Sequence, residues 1–133
     1  MSKGCLLDAS ALLALIFREP GHETVAAAFP AAISAANLSE VVAKLIDRGV
    51  PSLEATSVHL AADLQVIPIS EQVALGAGIL RSVTRRFGLS LGDRLCLATA
   101  RAEGFSVLTA DAVWQDLSKD LDITITNIRP HSS

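Results

Sequence analysis

A chain of 133 residues suits one compact domain, and half of those residues are hydrophobic, which excludes a chain disordered over most of its length. Aromatic residues make up only 4 %, with no tyrosine, so the core must be built from Ala, Leu, Val and Ile, and a single-strand binder relying on exposed stacking rings is disfavoured. The net charge of −3 counts against a bulk electrostatic grip on nucleic acid, unless several carboxylates converge on divalent cations that reverse the local sign.

The elements follow in chain order. Gly4 to Asp8 reads as a first buried strand, and Ala9 to Phe17 as a helix stopped near Pro20-Gly21. His22 to Phe29 is a short helix ended by Pro30. Ala31 to Ala35 is a second strand, poor in β-formers. Asn37 to Arg48 is an amphipathic helix closed by Gly49, and Ser52 to Ala62 is another, with Pro51 at its start. Leu64 to Pro68 is a third strand. Glu71 to Arg86 and Leu91 to Glu103 are helical, the latter stopped by Gly104. Phe105 to Thr109 is a strand, Ala112 to Leu117 a short helix and Ile123 to Ile128 the last strand. Arg129 to Ser133 reads as a frayed tail.

Strands separated by helices imply parallel pairing with helices on both faces. The expected fold is α/β: a three-layer α/β/α sandwich around a mostly parallel sheet of about five strands, with residues 1–133 as a single domain. Cys5 and Cys96 lie in apolar runs without CxxC partners and read as buried free thiols of a reducing compartment. The opening Met1-Ser2-Lys3-Gly4 leads into too short an apolar run for a signal peptide. No segment approaches the roughly 18 apolar residues of a membrane helix. A soluble, cytoplasmic protein is expected.

In such sheets ligands sit at the carboxyl ends of the strands, where strand order reverses. Asp8 ends the first strand and Asp111 follows the Phe105–Thr109 strand. Glu40 falls in the first turn of the helix after the second strand. Asp93 opens the helix that precedes the Phe105–Thr109 strand, so topology fixes its edge less firmly. Hard cations such as Mg²⁺ and Mn²⁺ take oxygen ligands, and they relieve the mutual repulsion of clustered carboxylates. They also acidify water and offset charge on a phosphate, so no protein nucleophile is required. Each acid has a competing, purely structural explanation. Asn37-Leu38-Ser39-Glu40 and Ser90-Leu91-Gly92-Asp93 resemble capping boxes, and Asp8 and Asp111 could each cap the helix that follows. What favours chemistry is the set of four on one edge.

The sequence resembles the PIN-domain family and, within it, the VapC-type toxins of bacterial toxin–antitoxin pairs. The resemblance spans nearly the whole chain. It rests on Leu7-Asp8-Ala9-Ser10-Ala11-Leu12, Asn37-Leu38-Ser39-Glu40-Val41, Leu91-Gly92-Asp93-Arg94-Leu95-Cys96-Leu97-Ala98 and Leu108-Thr109-Ala110-Asp111. It implies an endoribonuclease dependent on Mg²⁺ or Mn²⁺, a homodimer, and inhibition by a small cognate antitoxin. Carried over by position, Asp8, Glu40, Asp93 and Asp111 would be the metal-binding acids. Ser10 and Thr109 would orient carboxylates through hydroxyl hydrogen bonds, with local capping as the alternative role. Asn37 either orients the cluster or caps its helix. Asp116 is a candidate fifth acid, expected at the surface.

An RNA substrate needs cations beyond the metal. Arg94, next to Asp93, leads the candidates, followed by Arg85 and Arg86, with Arg18, Lys44 and Arg48 behind them, although most such residues simply form a solvated face. His22, His59 and His131 are scattered and read as surface residues without a zinc or triad pattern. Trp114 is expected to pack at the sheet edge. Three other readings compete. A haloacid-dehalogenase-like phosphatase would need an acid where Ser10 stands, and a receiver-type phosphoacceptor would need a late lysine better placed than Lys119. A PIN domain that works elsewhere in RNA processing, or that has become an inactive assembly module, is the third.

Overall fold

The computed structural model describes residues 4–61 and 63–129. Five strands form one sheet: β1 (Cys5–Leu7), β2 (Ala31–Ser34), β3 (Leu64–Ile67), β4 (Ser106–Thr109) and β5 (Ile125–Asn127), in the spatial order β3-β2-β1-β4-β5. All four pairings are parallel. The chain moves outward from β1 through β2 to β3, then returns to lay β4 on the other side of β1. Strand order therefore reverses between β1 and β4.

Side chains alternate across a strand, and β1 uses that period to build two cores. Leu6 pairs in register with Ala32 and Val107, and Leu7 with Ile33 and Leu108. The Leu6 row packs against α6 (Glu71–Ile79), α8 (Leu91–Glu103) and the wholly buried Trp114, which covers edge strand β5. The Leu7 row packs against α1 (Ala9–Phe17), α2 (His22–Ala27) and α3 (Ala35–Asp47). These are the expected three layers. The stripe of Leu12, Leu13, Leu15, Ile16 and Phe17 on α1 belongs to the second core.

Several boundaries differ from the sequence reading, and the same chemistry explains most of them. The expected helix over 52–62 is split into α4 (Ser52–Ala55) and α5 (Val58–Ala61), and residue 62 lies outside the described residues. Thr56 and Ser57 hydroxyls donate back to the Ser52 and Leu53 carbonyls, at 2.9 and 2.8 Å. The expected helix over 71–86 breaks after α6 into α7 (Arg81–Thr84) and a 3₁₀ turn at Arg85–Phe87. There Ser82 and Thr84 donate to the Ile79 and Leu80 carbonyls. Hydroxyls that compete for helical carbonyls end or bend helices. The Ala112–Leu117 segment is 3₁₀ rather than α, and it runs into α9 (Ser118–Leu121), which the sequence reading did not anticipate.

Arg129, the first residue of the tail expected to fray over 129–133, is tied down, while residues 130–133, with His131, lie outside the described residues. The Arg129 guanidinium donates to the Pro20 carbonyl at 3.3 Å and reaches Glu19 Oε1 at 3.4 Å. Beside it, Gly21 has φ +95°, and a Cβ there would stand 2.5 Å from the Ile128 carbonyl oxygen. The left-handed backbone and the close approach both demand glycine. Gly21→Ala is expected to cost about 1–3 kcal/mol of stability. A urea midpoint unchanged by the substitution would show that the segments can part freely.

Candidate active site

The Asp8 carboxylate lies at the point where strand order reverses. Asp8 leaves β1 in extended conformation and is the N-cap of α1. Its Oδ1 accepts from the Ala11 amide at 2.8 Å and from the Ser10 hydroxyl at 2.7 Å. Its Oδ2 accepts from the Thr109 hydroxyl, at the end of β4, at 2.6 Å. Ser10 Oγ in turn accepts from the Ala110 amide, and Thr109 Oγ1 from the Asp111 amide. Two hydroxyls thus weld the ends of β1 and β4 around one carboxylate. Burial pushes the Asp8 carboxyl up to about 6, against the three hydrogen bonds that hold it down, and the nearby charge of Asp93 adds to the rise.

Glu40 is positioned from the neighbouring strand. Ser34, the last residue of β2, caps α3 by accepting from the Asn37 amide, and its hydroxyl donates to Asn37 Oδ1 at 2.8 Å. The helix therefore starts two residues before the expected Asn37, and Glu40 sits in its second turn, not its first. No Asn37–Glu40 capping box forms. Instead the buried Asn37 amide group donates to Glu40 Oε1 at 2.7 Å and to the Gly92 carbonyl on α8 at 3.3 Å. A Cβ at Gly92 would lie 2.5 Å from Glu40 Oε2, so this close approach needs glycine.

The capping explanation holds fully for the other two acids. Asp93 and Ser90 form a reciprocal capping box on α8, with bonds of 3.0 and 3.1 Å. Asp111 Oδ1 accepts from the Val113 amide at 3.0 Å. Yet Asp8, Glu40, Asp93 and Asp111 line one cleft of about 410 Å³, together with Ser10, Leu13, Ala43, Lys44 and Asp47. Capping and clustering are not alternatives here. Helix starts gather at this edge of the sheet, and an acid that caps one is delivered to the cleft.

Among the described residues no Lys, Arg or His forms an ion pair with any of these four acids. Their charge also reaches inward. Cys96 is fully buried on α8, and burial together with the charges of Asp8, Asp93 and Glu40 pushes its thiol well above the ordinary range. Cys5, expected to be buried, is only partly so.

Other candidates lie elsewhere. Asp116 is exposed and outside the cleft, as expected. Arg94 points away from it, donating to the Ala77 carbonyl on α6 at 3.0 Å. Arg85 and Arg86 are exposed beside Asp120, with the Arg86 guanidinium 4.7 Å from the Phe87 ring centre. Sequence reasoning passed over Asp47 and the steric role of Gly92. The first was legible, because Asp47 and Lys44 follow Glu40 at helical spacing on one face.

A family model described as PIN domain matches residues 5–120. The chain belongs to the PIN-domain family. No curated protein matches it in sequence. Among solved structures this PIN domain is similar to a toxin–antitoxin complex from Klebsiella pneumoniae, at 21 % identity and TM-score 0.72, covering 96 % of this chain and 99 % of that one. It is also similar to Mycobacterium tuberculosis VapC20, described as a sarcin–ricin loop cleaving toxin, at 18 % identity and TM-score 0.75 over 95 % and 99 % of the two chains. FitAcB from Neisseria gonorrhoeae aligns at 21 % identity and TM-score 0.66, over 93 % and 97 %. At these identities the likeness is one of fold. No helix among the described residues is long and apolar enough to cross a membrane.

The donor set suits a hard divalent cation: carboxylate oxygens without a cationic partner, one of them buried. Among the described residues no three acidic, His or Cys side chains stand at ligating spacing as they lie. As they lie, Glu40 accepts from the Asn37 side-chain amide, and Asp93 and Asp111 accept from the backbone amides of Ser90 and Val113. Mg²⁺ commonly keeps several waters and uses only one or two carboxylates, so a closed protein cage is not required.

Two outcomes are expected. The folded Asp8 carboxyl binds its proton more tightly than the unfolded one, whose value is 3.8. Metal-free protein should therefore lose stability as pH rises from about 4 through about 6, by up to about 3 kcal/mol. Thermal melts in chelator across that range check this, and Asp8→Asn should flatten the profile. Gly92→Ala should fold normally, since the group it displaces is the end of a flexible side chain. Its calorimetric Mn²⁺ affinity should fall about tenfold as Glu40 is pushed aside; an unchanged isotherm would mean that Glu40 need not lie there.

Proposed function

We propose that this PIN domain is a metal-dependent endoribonuclease, acting with Mg²⁺ or Mn²⁺ as the toxin of a toxin–antitoxin pair. The observation that carries the reading is the buried Asp8 carboxylate in a cleft with Glu40, Asp93 and Asp111, none of which is ion-paired to a Lys, Arg or His among the described residues. Maintaining such a cluster costs stability at neutral pH, and a dication offsets that cost. The fold shared with proteins described as toxins supports the biological role.

Asp8, Glu40, Asp93 and Asp111 would hold the cation, which supplies acidified water and charge neutralisation at the phosphate. Ser10, Thr109 and the Ala11 amide fix both oxygens of Asp8, so the carboxylate meets its ligand without reorganising. Asn37 does the same for Glu40 from the buried side. Asp8 is buried, Glu40 and Asp93 are half-buried and Asp111 is exposed, so water reaches the cation from the Asp111 side. RNA is the substrate and a small antitoxin the partner, with a homodimer as the working form. The phosphatase alternative is disfavoured by Ser10, whose hydroxyl is committed to Asp8 and the Ala110 amide where that chemistry needs an acid.

Purified protein with Mn²⁺ should cleave RNA, and its induction should arrest a bacterial host. Asp8→Asn should reduce cleavage at least a hundredfold while leaving the metal-free melting temperature at neutral pH equal or higher. If the wild-type chain cuts no RNA and arrests no host, the toxin reading falls. If Asp8→Asn instead unfolds the chain, capping is the residue's main role.

A further inference from the structure

The cleft is not lined by acids alone. Lys44, on α3 one helical turn beyond Glu40, is the one cationic side chain on its wall among the described residues. Four residues of helix advance about 6 Å, so the Lys44 backbone lies one turn further along α3 than that of Glu40. Its side chain is exposed, and no described carboxylate pairs with it, although Glu40 and Asp47 are its neighbours on the helix face. Leu13 and Ala43 form an apolar stretch of the same wall. Lys44 thus stands between Glu40 and Asp47 on one helix face, an unpaired cation in an otherwise anionic groove that is free to meet a bound anion.

The arginines preferred from sequence are placed differently. Arg94 is occupied by the Ala77 carbonyl and lies outside the cleft. Arg85 and Arg86 border a separate depression shared with Asp120. A polyanion bound at the acids through a dication would thus find its next positive contact along α3, not towards the Arg85–Phe87 turn.

We propose that Lys44 forms a phosphate subsite of the cleft, binding a backbone phosphate next to the scissile one and setting the RNA strand along α3 past Leu13 and Ala43. This rests on the nuclease reading above and adds the direction of the strand. Lysine suits the task as a point charge on a flexible stem, which tolerates any base sequence.

Each phosphate contact on a single strand contributes about 0.7 to the slope of log affinity against log salt. Binding of a labelled single-stranded RNA is measured in Mg²⁺ between 50 and 200 mM KCl, in an Asp8→Asn background that leaves the strand intact. Adding Lys44→Ala should lower the slope by about 0.7 and weaken binding severalfold, Lys44→Arg should restore both, and Arg85→Ala with Arg86→Ala should change neither. Unchanged slope and affinity with Lys44→Ala overturn the subsite, as does the same loss appearing with the arginine pair instead. Cleavage of the same RNA by the wild-type chain with Mn²⁺ is run alongside. Cleavage present with an unaffected Lys44→Ala slope refutes the subsite alone, whereas absent cleavage refutes the nuclease reading beneath it.

Discussion

Much of this molecule is arranged around one carboxylate taken out of water at the seam between β1 and β4. Asp8 could not remain there as a bare anion. Three donors surround it, and each serves a second purpose: the Ala11 amide starts a helix, while Ser10 and Thr109 tie adjoining strand ends together. The hydrogen bonds do not fully repay the lost hydration, so the group stays reluctant to ionise. A site of this kind is poised. It is intact without a ligand, yet its free energy falls when positive charge arrives.

The surrounding acids show how ordinary folding rules can assemble such a site. Parallel sheets with intervening helices bring helix starts to one rim, and helix starts favour Asp, Ser and Asn for reasons unrelated to catalysis. Asp8, Asp93 and Asp111 each satisfy a local backbone demand, and the topology then makes them neighbours. Glu40 is the exception. It caps nothing, and the sheet does not deliver it; a buried asparagine and a missing side chain at position 92 hold it in place. The member of the set without a structural excuse is the one for which a chemical purpose is most needed.

This division explains what could be read from the chain. The layered architecture and the five strands followed from alternating apolar runs, and the rim positions of Asp8 and Asp111 followed from topology, because both depend on spacing that sequence displays directly. Helix interruptions at Thr56 and Thr84 were hidden, since hydroxyl-to-carbonyl competition is decided by rotamers. The start of α3 was misplaced because Ser34 and Asn37 are both good caps, and only the β2 register selects Ser34. Arg94 looked close to the chemistry because it adjoins Asp93, yet successive helical residues point about a quarter-turn apart, and its guanidinium went to α6. Gly92 carries no local signature, since it acquires meaning only through α3 packing beside α8.

Cys96 beneath the rim has a consequence of its own. Zinc and copper compete strongly for most protein sites, and a thiolate within reach would hand them the advantage. The sulfur here is enclosed, and the surrounding anions oppose its deprotonation. A cation held by the proposed carboxylates would therefore meet oxygen donors alone, because the packing of α8 withholds the one nearby sulfur.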